Sequence, residues 1–453
     1  MPVRVKIVVI PLIRGTFDVV EGQKIYQREL SFLKNIEHVD LVAPSQVFEQ
    51  LTLLNDFLSL IYNEQIDGII LFSATFHLGD LALAVSSAFP RTPILCWAVP
   101  EPPYTGTKIR LNSLVGAHLD FCNLYKTGRK DILFAYGSCN EENFRQELSA
   151  WIDALRVVKG WKGGKIGLVG GHAPTFIDVD IYEPDLFATF GLTIEFLSQE
   201  TLLEIGVHQE IIEKLEKDYI QIYDNAAEID AEKLKKVATL TAAFENCAKT
   251  QGYTAMAVRC WPEFADRYGI SPCAAISYNL AQGLTIACEG DVGGAITMLA
   301  FKSLGCNEVY LADVSQIFEQ EKSVLLWHCG VAPHTLWDGK SQRTLDTYFA
   351  GGKGVTVGFV LKTGLVTIAR IDYIRNHWQL FLAKGEALPT GQELKGTYVK
   401  VKVSDPLHFL KTLINNGFAH HVVVAYGDYT RAFQKLAQIK GWAVYEVTCG
   451  KNT

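Results

Sequence analysis

Short apolar runs alternate with amphipathic stretches over the first two thirds of the chain. Val5–Pro11 is a β-branched run; Val39–Val42 precedes the helical Val47–Asn63, and Gly68–Phe72 precedes Asp80–Ala88. Ile94–Val99 then runs into the turn Pro100-Glu101-Pro102-Pro103. Apolar strands with helices between them are the pattern of a parallel sheet buried on both faces. The order predicts a doubly wound α/β domain over residues 1–160. Trp161–Gly164 is a turn-rich junction, after which Lys165–Val169, Thr193–Phe196 and Ala255–Arg259 restart the pattern around charged helices from Thr201 to about Asn246. With Leu284–Cys288, Glu308–Ala312 and Ser323–Trp327 these predict a second doubly wound parallel-sheet domain, residues 161–340.

The pattern then changes. Val355–Val360, Leu365–Tyr373, Trp378–Ala383 and Thr397–Val403 are strands parted by glycine and polar turns. They predict a β-rich, antiparallel barrel-like C-terminal domain, residues 341–453. Asp405–Asn416 is an amphipathic helix with Asp405 as N-cap and Pro406 in its first turn.

Composition narrows the class of partner. The 453 residues are 49% hydrophobic and 20% charged, enough apolar material for large cores. A net charge of −7 argues against nucleic acid, since phosphate binding needs concentrated Lys and Arg. Met1–Arg14 is too short an apolar run for a secretory signal, and no stretch approaches the roughly 18 apolar residues of a bilayer span. The 10 cysteines are scattered without a C-x-x-C pair and predict reduced thiols. A cytoplasmic protein that handles small solutes, with neither nucleic acid nor membrane as partner, is expected.

Candidate chemistry is concentrated in Leu284–Val331. Glu289, Asp313 and His328 each follow one of its three predicted strands. Residues at the carboxyl ends of neighbouring strands converge on one crevice, and two carboxylates with an imidazole suit a divalent cation. Structural roles fit the same residues: carboxylates after strands cap helices, as Asp291 would cap Gly293–Leu304, and a histidine between Trp327 and Cys329 suits a core. The pair His420-His421, opening the apolar run to Gly427, is open in the same way. Gly170-Gly171-His172 does not supply the glycine fingerprint that a nicotinamide-dependent dehydrogenase needs, which argues against that class.

Taken together, Cys288-Glu289-Gly290-Asp291, Leu311-Ala312-Asp313-Val314, Trp327-His328-Cys329-Gly330, His420-His421 with Tyr426-Gly427, and Arg14-Gly15-Thr16-Phe17-Asp18 resemble the L-fucose/L-arabinose isomerase family. The resemblance implies an aldose–ketose isomerase for a hexose or pentose, or for a related anionic sugar, working through an ene-diolate. It implies that Glu289 and Asp313 bind a divalent cation, typically Mn²⁺, and carry the catalysis. His421 matches the C-terminal metal histidine, with His420 a neighbour at the substrate. His328 resembles the extra histidine ligand of the arabinose branch, whereas Asp313 is fucose-like, so the substrate and His328's partner, metal or sugar, stay open.

The family's active sites at subunit interfaces imply a homotrimer or homohexamer, in which Arg14 and Thr16 would bind substrate hydroxyls. A bridge from Arg14 to a nearby carboxylate fits equally well. Trp97 and Trp261 suit either a sugar-stacking surface or a core. The competing reading is a non-catalytic two-domain protein that binds or senses a sugar.

Overall fold

A computed structural model describes residues 3–106, 108–348 and 352–447. Its contacts divide the chain into two units, Met1–Lys159 with Arg431–Gly441, and Gly160–Thr430 with Trp442–Thr453.

In the first unit the β-branched runs form five parallel strands: β1 (Val5–Leu12), β2 (Val39–Val42), β3 (Gly68–Ser73), β4 (Ile94–Ala98) and β5 (Ile132–Tyr136). Their order is β2-β1-β3-β4-β5, with helices between them, as the alternating pattern predicts. Every residue of β3 and β4 is buried, which is why these strands are apolar throughout. Helix Thr430–Lys440 joins this unit from the far end of the chain: Arg431 and Lys435 both pair with Glu147 of helix Glu142–Trp161.

The second unit holds two sheets. Four parallel strands, β6 (Lys165–Val169), β7 (Thr193–Leu197), β8 (Ala255–Val258) and β9 (Thr285–Cys288), stand in the order β7-β6-β8-β9. The other sheet comprises β10 (Val309–Phe318), β11 (Ser323–His328), β12 (Thr344–Asp346), β13 (Thr356–Val360), β14 (Gly364–Ile374), β15 (His377–Ala387), β16 (Thr397–Lys402), β17 (His421–Tyr426) and β18 (Ala443–Val447). Six of these, β16-β11-β10-β17-β14-β15, pair antiparallel and close through β15–β16 into a barrel. Closure leaves those six strands no free edge among themselves.

The units differ from the three expected domains. A boundary at 340 would cut the barrel, because β10 and β11 pair with β17 and β16 rather than extending the parallel sheet. Asp313 consequently lies inside β10 and not after a strand end; its neighbours are set by antiparallel register.

Candidate active site

Glu289 follows edge strand β9 and adopts φ 62°, a left-handed backbone that costs a non-glycine residue about 1–2 kcal/mol. Gly290 continues the turn at φ 78°, and a Cβ there would run into Gly171 O and His172 Cα. Three backbone bonds hold the turn: Asp291 N–H to Cys288 O at 3.1 Å, Gly290 N–H to Val258 O at 3.0 Å, and Ala173 N–H to Glu289 O at 2.9 Å. Strain overruled in this way by its surroundings is common where a side chain must be aimed. Asp291 then caps helix Val292–Ser303, its Oδ1 accepting from Gly294 N–H at 2.7 Å.

The barrel supplies the facing groups. Asp313 of β10 is directly opposite His421 of β17, and directly opposed residues project to the same face of a sheet. His421 Nε2 is 3.5 Å from Asp313 Oδ1 and 3.3 Å from Glu289 Oε2. His420 Nε2 is 3.4 Å from Glu289 Oε2 and 4.0 Å from Asp313 Oδ1. His328, at the end of β11, stacks 5.4 Å from the His421 ring. Trp261 Nε1–H donates to Glu289 Oε1 at 3.2 Å, so this tryptophan touches the site.

Behind these groups lies a network of buried charges. His421 Nδ1 is 3.0 Å from Asp291 Oδ2, and Arg370 donates to the same oxygen. Arg370 also pairs with Asp372, whose Oδ2 accepts from Ala419 N–H at 2.8 Å, just before the histidine pair. Arg370, Asp291 and Asp372 are almost wholly buried, a placement that charges tolerate only when paired. On the outer side, Asp178 Oδ2 is 2.7 Å from His420 Nδ1, and Phe176 packs edge-on against that ring.

These contacts set the protonation. Burial by itself would raise the Glu289 carboxyl, but the imidazoles of His420 and His421 outweigh it and hold it well below the usual carboxylate range. Burial opposes charge on His420 too, yet Asp178 and Glu289 push it up to about 10. His421 is pushed up to about 9 by Asp291 and Glu289 against the same opposition. His328 moves down, because burial dominates. Carboxylates that hold protons on two imidazoles would also stabilise a divalent cation in place of those protons.

The donors fit such a cation. His328 Nε2 and His421 Nε2 are buried without a hydrogen-bond partner among the described residues. Ligand atoms of Glu289, His328 and His421, and of Asp313, His420 and His421, lie within 4.8 Å of one another. Carboxylate oxygen with imidazole nitrogen is a set for a divalent ion of the Mn²⁺ or Mg²⁺ kind, with imidazole shifting preference toward transition metals.

The structure thus brings together Glu289, Asp313, His328, His420 and His421. The remaining candidates belong to the first unit. Trp97 is fully buried in the first unit between Phe72 and Phe144, its Nε1–H bonded to Gly137 O at 2.9 Å, so no face is left for a sugar. Arg14 and Thr16 also belong to the first unit. The guanidinium of Arg14 lies over Phe76 and has no ion pair among the described residues, so the expected bridge to a carboxylate is not made; Arg110 takes Asp18 instead. Sequence reasoning missed Asp178, Arg370 and Asp372, and saw Asp291 only as a cap.

Comparison with known proteins follows the same lines. A family profile described as L-fucose isomerase, C-terminal domain, matches residues 328–448, which span most of the barrel and both histidines of the pair. Proteins named sulfoquinovose isomerase from Priestia aryabhattai and Priestia megaterium are each 30% identical over 95% of this chain and 96% of their own. One of the same name from a Clostridium species is 25% identical over 95% of this chain and 96% of its own. These matches make the protein an enzyme, a sugar isomerase, and the non-catalytic reading is set aside. More narrowly, the chain belongs to the fucose isomerase-like family.

Proposed function

We propose that this protein is a divalent-cation-dependent aldose–ketose isomerase for an anionic sugar, the sulfonated aldohexose sulfoquinovose. The observation that carries the reading is the meeting of Glu289 and Asp313 with His421 Nε2, whose other nitrogen is tied to Asp291. The substrate comes from the relatives named for it, which match the chain almost end to end. Glu289, Asp313 and His421 would hold the cation, with Mn²⁺ the ion expected. When bound, such an ion supplies Lewis-acid polarisation of the sugar's carbonyl.

The chain's own groups do the rest. Isomerisation moves one proton between C2 and C1 and another between O2 and O1, through an ene-diolate. Glu289 is held ionised and steered by Trp261, which suits a carboxylate that takes the C2 proton and returns it at C1. Asp313 steadies the hydroxyl side. His420, held in orientation by Asp178, is placed to donate from Nε2 to a sugar oxygen. The Arg370–Asp291 pair fixes the His421 ring so that its Nε2 faces the cluster.

Arg14 and Thr16 belong to this proposal as substrate contacts supplied through a homotrimer or homohexamer, with Arg14 facing the sulfonate. The nine cysteines among the described residues are unpaired, which suits a reducing, cytoplasmic setting. No helix among the described residues is long and apolar enough to cross a membrane.

The test is a panel of sulfoquinovose, L-fucose and L-arabinose, offered to chelator-stripped and Mn²⁺-reloaded protein, with ketose formation followed by NMR. Conversion of sulfoquinovose in the reloaded protein alone supports the reading. Equal turnover after stripping would sink the metal requirement, and preference for an uncharged sugar would sink the substrate.

A further inference from the structure

Two buried imidazoles face the carboxylate cluster, and the bonds on their far nitrogens run in opposite directions. His421 Nδ1 meets an ionised carboxylate, Asp291 Oδ2, which can only accept. A hydrogen is therefore fixed on Nδ1, and Nε2 is the nitrogen that gives up its proton and offers a lone pair when a cation takes that proton's place.

His328 is the reverse. The backbone N–H of Cys329 donates to His328 Nδ1 at 2.9 Å, and Cys329 Sγ lies 3.2 Å from the same nitrogen. One N–H cannot point at another, so Nδ1 carries no hydrogen. An imidazole keeps at least one hydrogen on its ring nitrogens, and this network assigns it to Nε2. A nitrogen that bears hydrogen in the ring plane has no lone pair to give a cation. His328 is only 2% exposed, and its Nε2 has no hydrogen-bond partner among the described residues. A buried donor with no acceptor is unfavourable unless a ligand brings one.

We infer that His328 is a substrate-binding residue and not a cation ligand, its Nε2–H donating to an oxygen of the sugar held beside Glu289, Asp313 and His421. This rests on the isomerase reading of the site given above. It separates two histidines that proximity alone leaves equivalent, since His328 and His421 both fall within reach of Glu289. A neutral N–H is suited to a hydroxyl or carbonyl oxygen, and a site built around such a bond discriminates against a sugar that lacks the oxygen.

Substitutions separate the roles. His328→Gln places an amide N–H close to the position of Nε2 and brings no imidazole lone pair. His328→Leu removes the donor and keeps the bulk. The full-length protein, loaded with Mn²⁺ after histidine labelling with ¹⁵N, is examined by pulsed EPR to count coordinated imidazoles, and Mn²⁺ affinity is measured calorimetrically. One coordinated imidazole is expected, and His421→Gln removes it. Both His328 variants should bind Mn²⁺ within about threefold of the unaltered protein, well short of a tenfold, 1.4 kcal/mol effect. His328→Leu should lower kcat/KM by roughly ten- to hundredfold, and His328→Gln should recover a large part of that loss.

Two coordinated imidazoles, or Mn²⁺ binding weakened tenfold or more in both His328 variants, would overturn the inference and leave the isomerase reading standing. If His328→Leu does not fold, the imidazole count and His328→Gln still decide. No Mn²⁺ binding by the unaltered protein would overturn the metal reading, and this inference with it.

Discussion

Asp313 on β10 and His421 on β17 stand directly opposite each other in the barrel wall, with Oδ1 and Nε2 3.5 Å apart. Their spacing is thereby fixed by strand pairing and not by a loop. Glu289 is brought to the same point by a strained turn at the end of a different sheet. The cluster is therefore positioned from two sheets, which suits chemistry that tolerates little misplacement.

Asp291 has three tasks: it caps a helix, orients His421 and balances Arg370. Asp291→Asn keeps the shape and removes the charge, leaving Arg370 buried with Asp372 alone. Breaking such a pair costs about 3–5 kcal/mol. Mn²⁺ affinity should also fall about 10–100-fold, the usual effect of losing a carboxylate behind a metal histidine. Urea unfolding and calorimetric metal titration check the two effects separately.

Gly290→Ala tests the turn that aims Glu289. A Cβ there meets the backbone of Gly171 and His172 while φ stays positive, so the loop must shift. We expect a stability loss of at least about 1–2 kcal/mol and a larger fall in activity than in melting temperature would suggest. Normal kcat/KM in this variant would show that the aim of Glu289 does not depend on the turn.

Much of the site was legible, for uneven reasons. Glu289 after β9 obeyed the strand-end rule for parallel sheets. Asp313 did not, because an apolar run before a carboxylate looks the same whether the strand ends there or continues into a barrel. Strand partners are non-local, so the boundary at 340 and the transfer of helix Thr430–Lys440 to the first unit leave no local mark. β5, with exposed Phe134 and Tyr136, lacks the continuous burial that marks β3 and β4. Arg370 and Asp372 did leave a signal: two charges on one face of an otherwise apolar strand must find partners inside. Asp178 sits in a loop where carboxylates are ordinary, and nothing in the sequence distinguishes it.

The first unit offers an independent check on the electrostatics. Glu29 is 1% exposed and accepts from Cys139 N–H at 2.8 Å, Ser138 Oγ–H at 2.7 Å and Arg28. Burial would raise this carboxyl, but those bonds outweigh it and leave it below its ordinary value of 4.5. With the folded value depressed, its stabilisation is fully present above the unfolded pKa and is lost as pH falls through the folded one. Glu29→Gln should therefore cost about 1–3 kcal/mol at pH 7. The gap between variant and unaltered protein should shrink as pH falls below about 4. A gap that widens in acid would contradict the assignment.

Arg14 carries the specificity part of the proposal. Its guanidinium has no ion pair among the described residues, so it is open to an anionic group. Arg14→Met should reduce kcat/KM for sulfoquinovose by roughly 10–100-fold, mainly through KM, and should change turnover of an uncharged aldose little. Equal losses on charged and uncharged sugars would point to a structural role.

In the proposed reaction Glu289 moves the proton on C2 in a metal-loaded site. The most direct measurement is exchange of the C2 hydrogen of sulfoquinovose with solvent deuterium, followed by NMR in Mn²⁺-loaded protein and in Glu289→Gln. We predict exchange in the unaltered protein, its loss on chelation, and a fall of at least about 10²-fold in Glu289→Gln. Exchange that survives intact in Glu289→Gln, with metal still bound, would contradict the account.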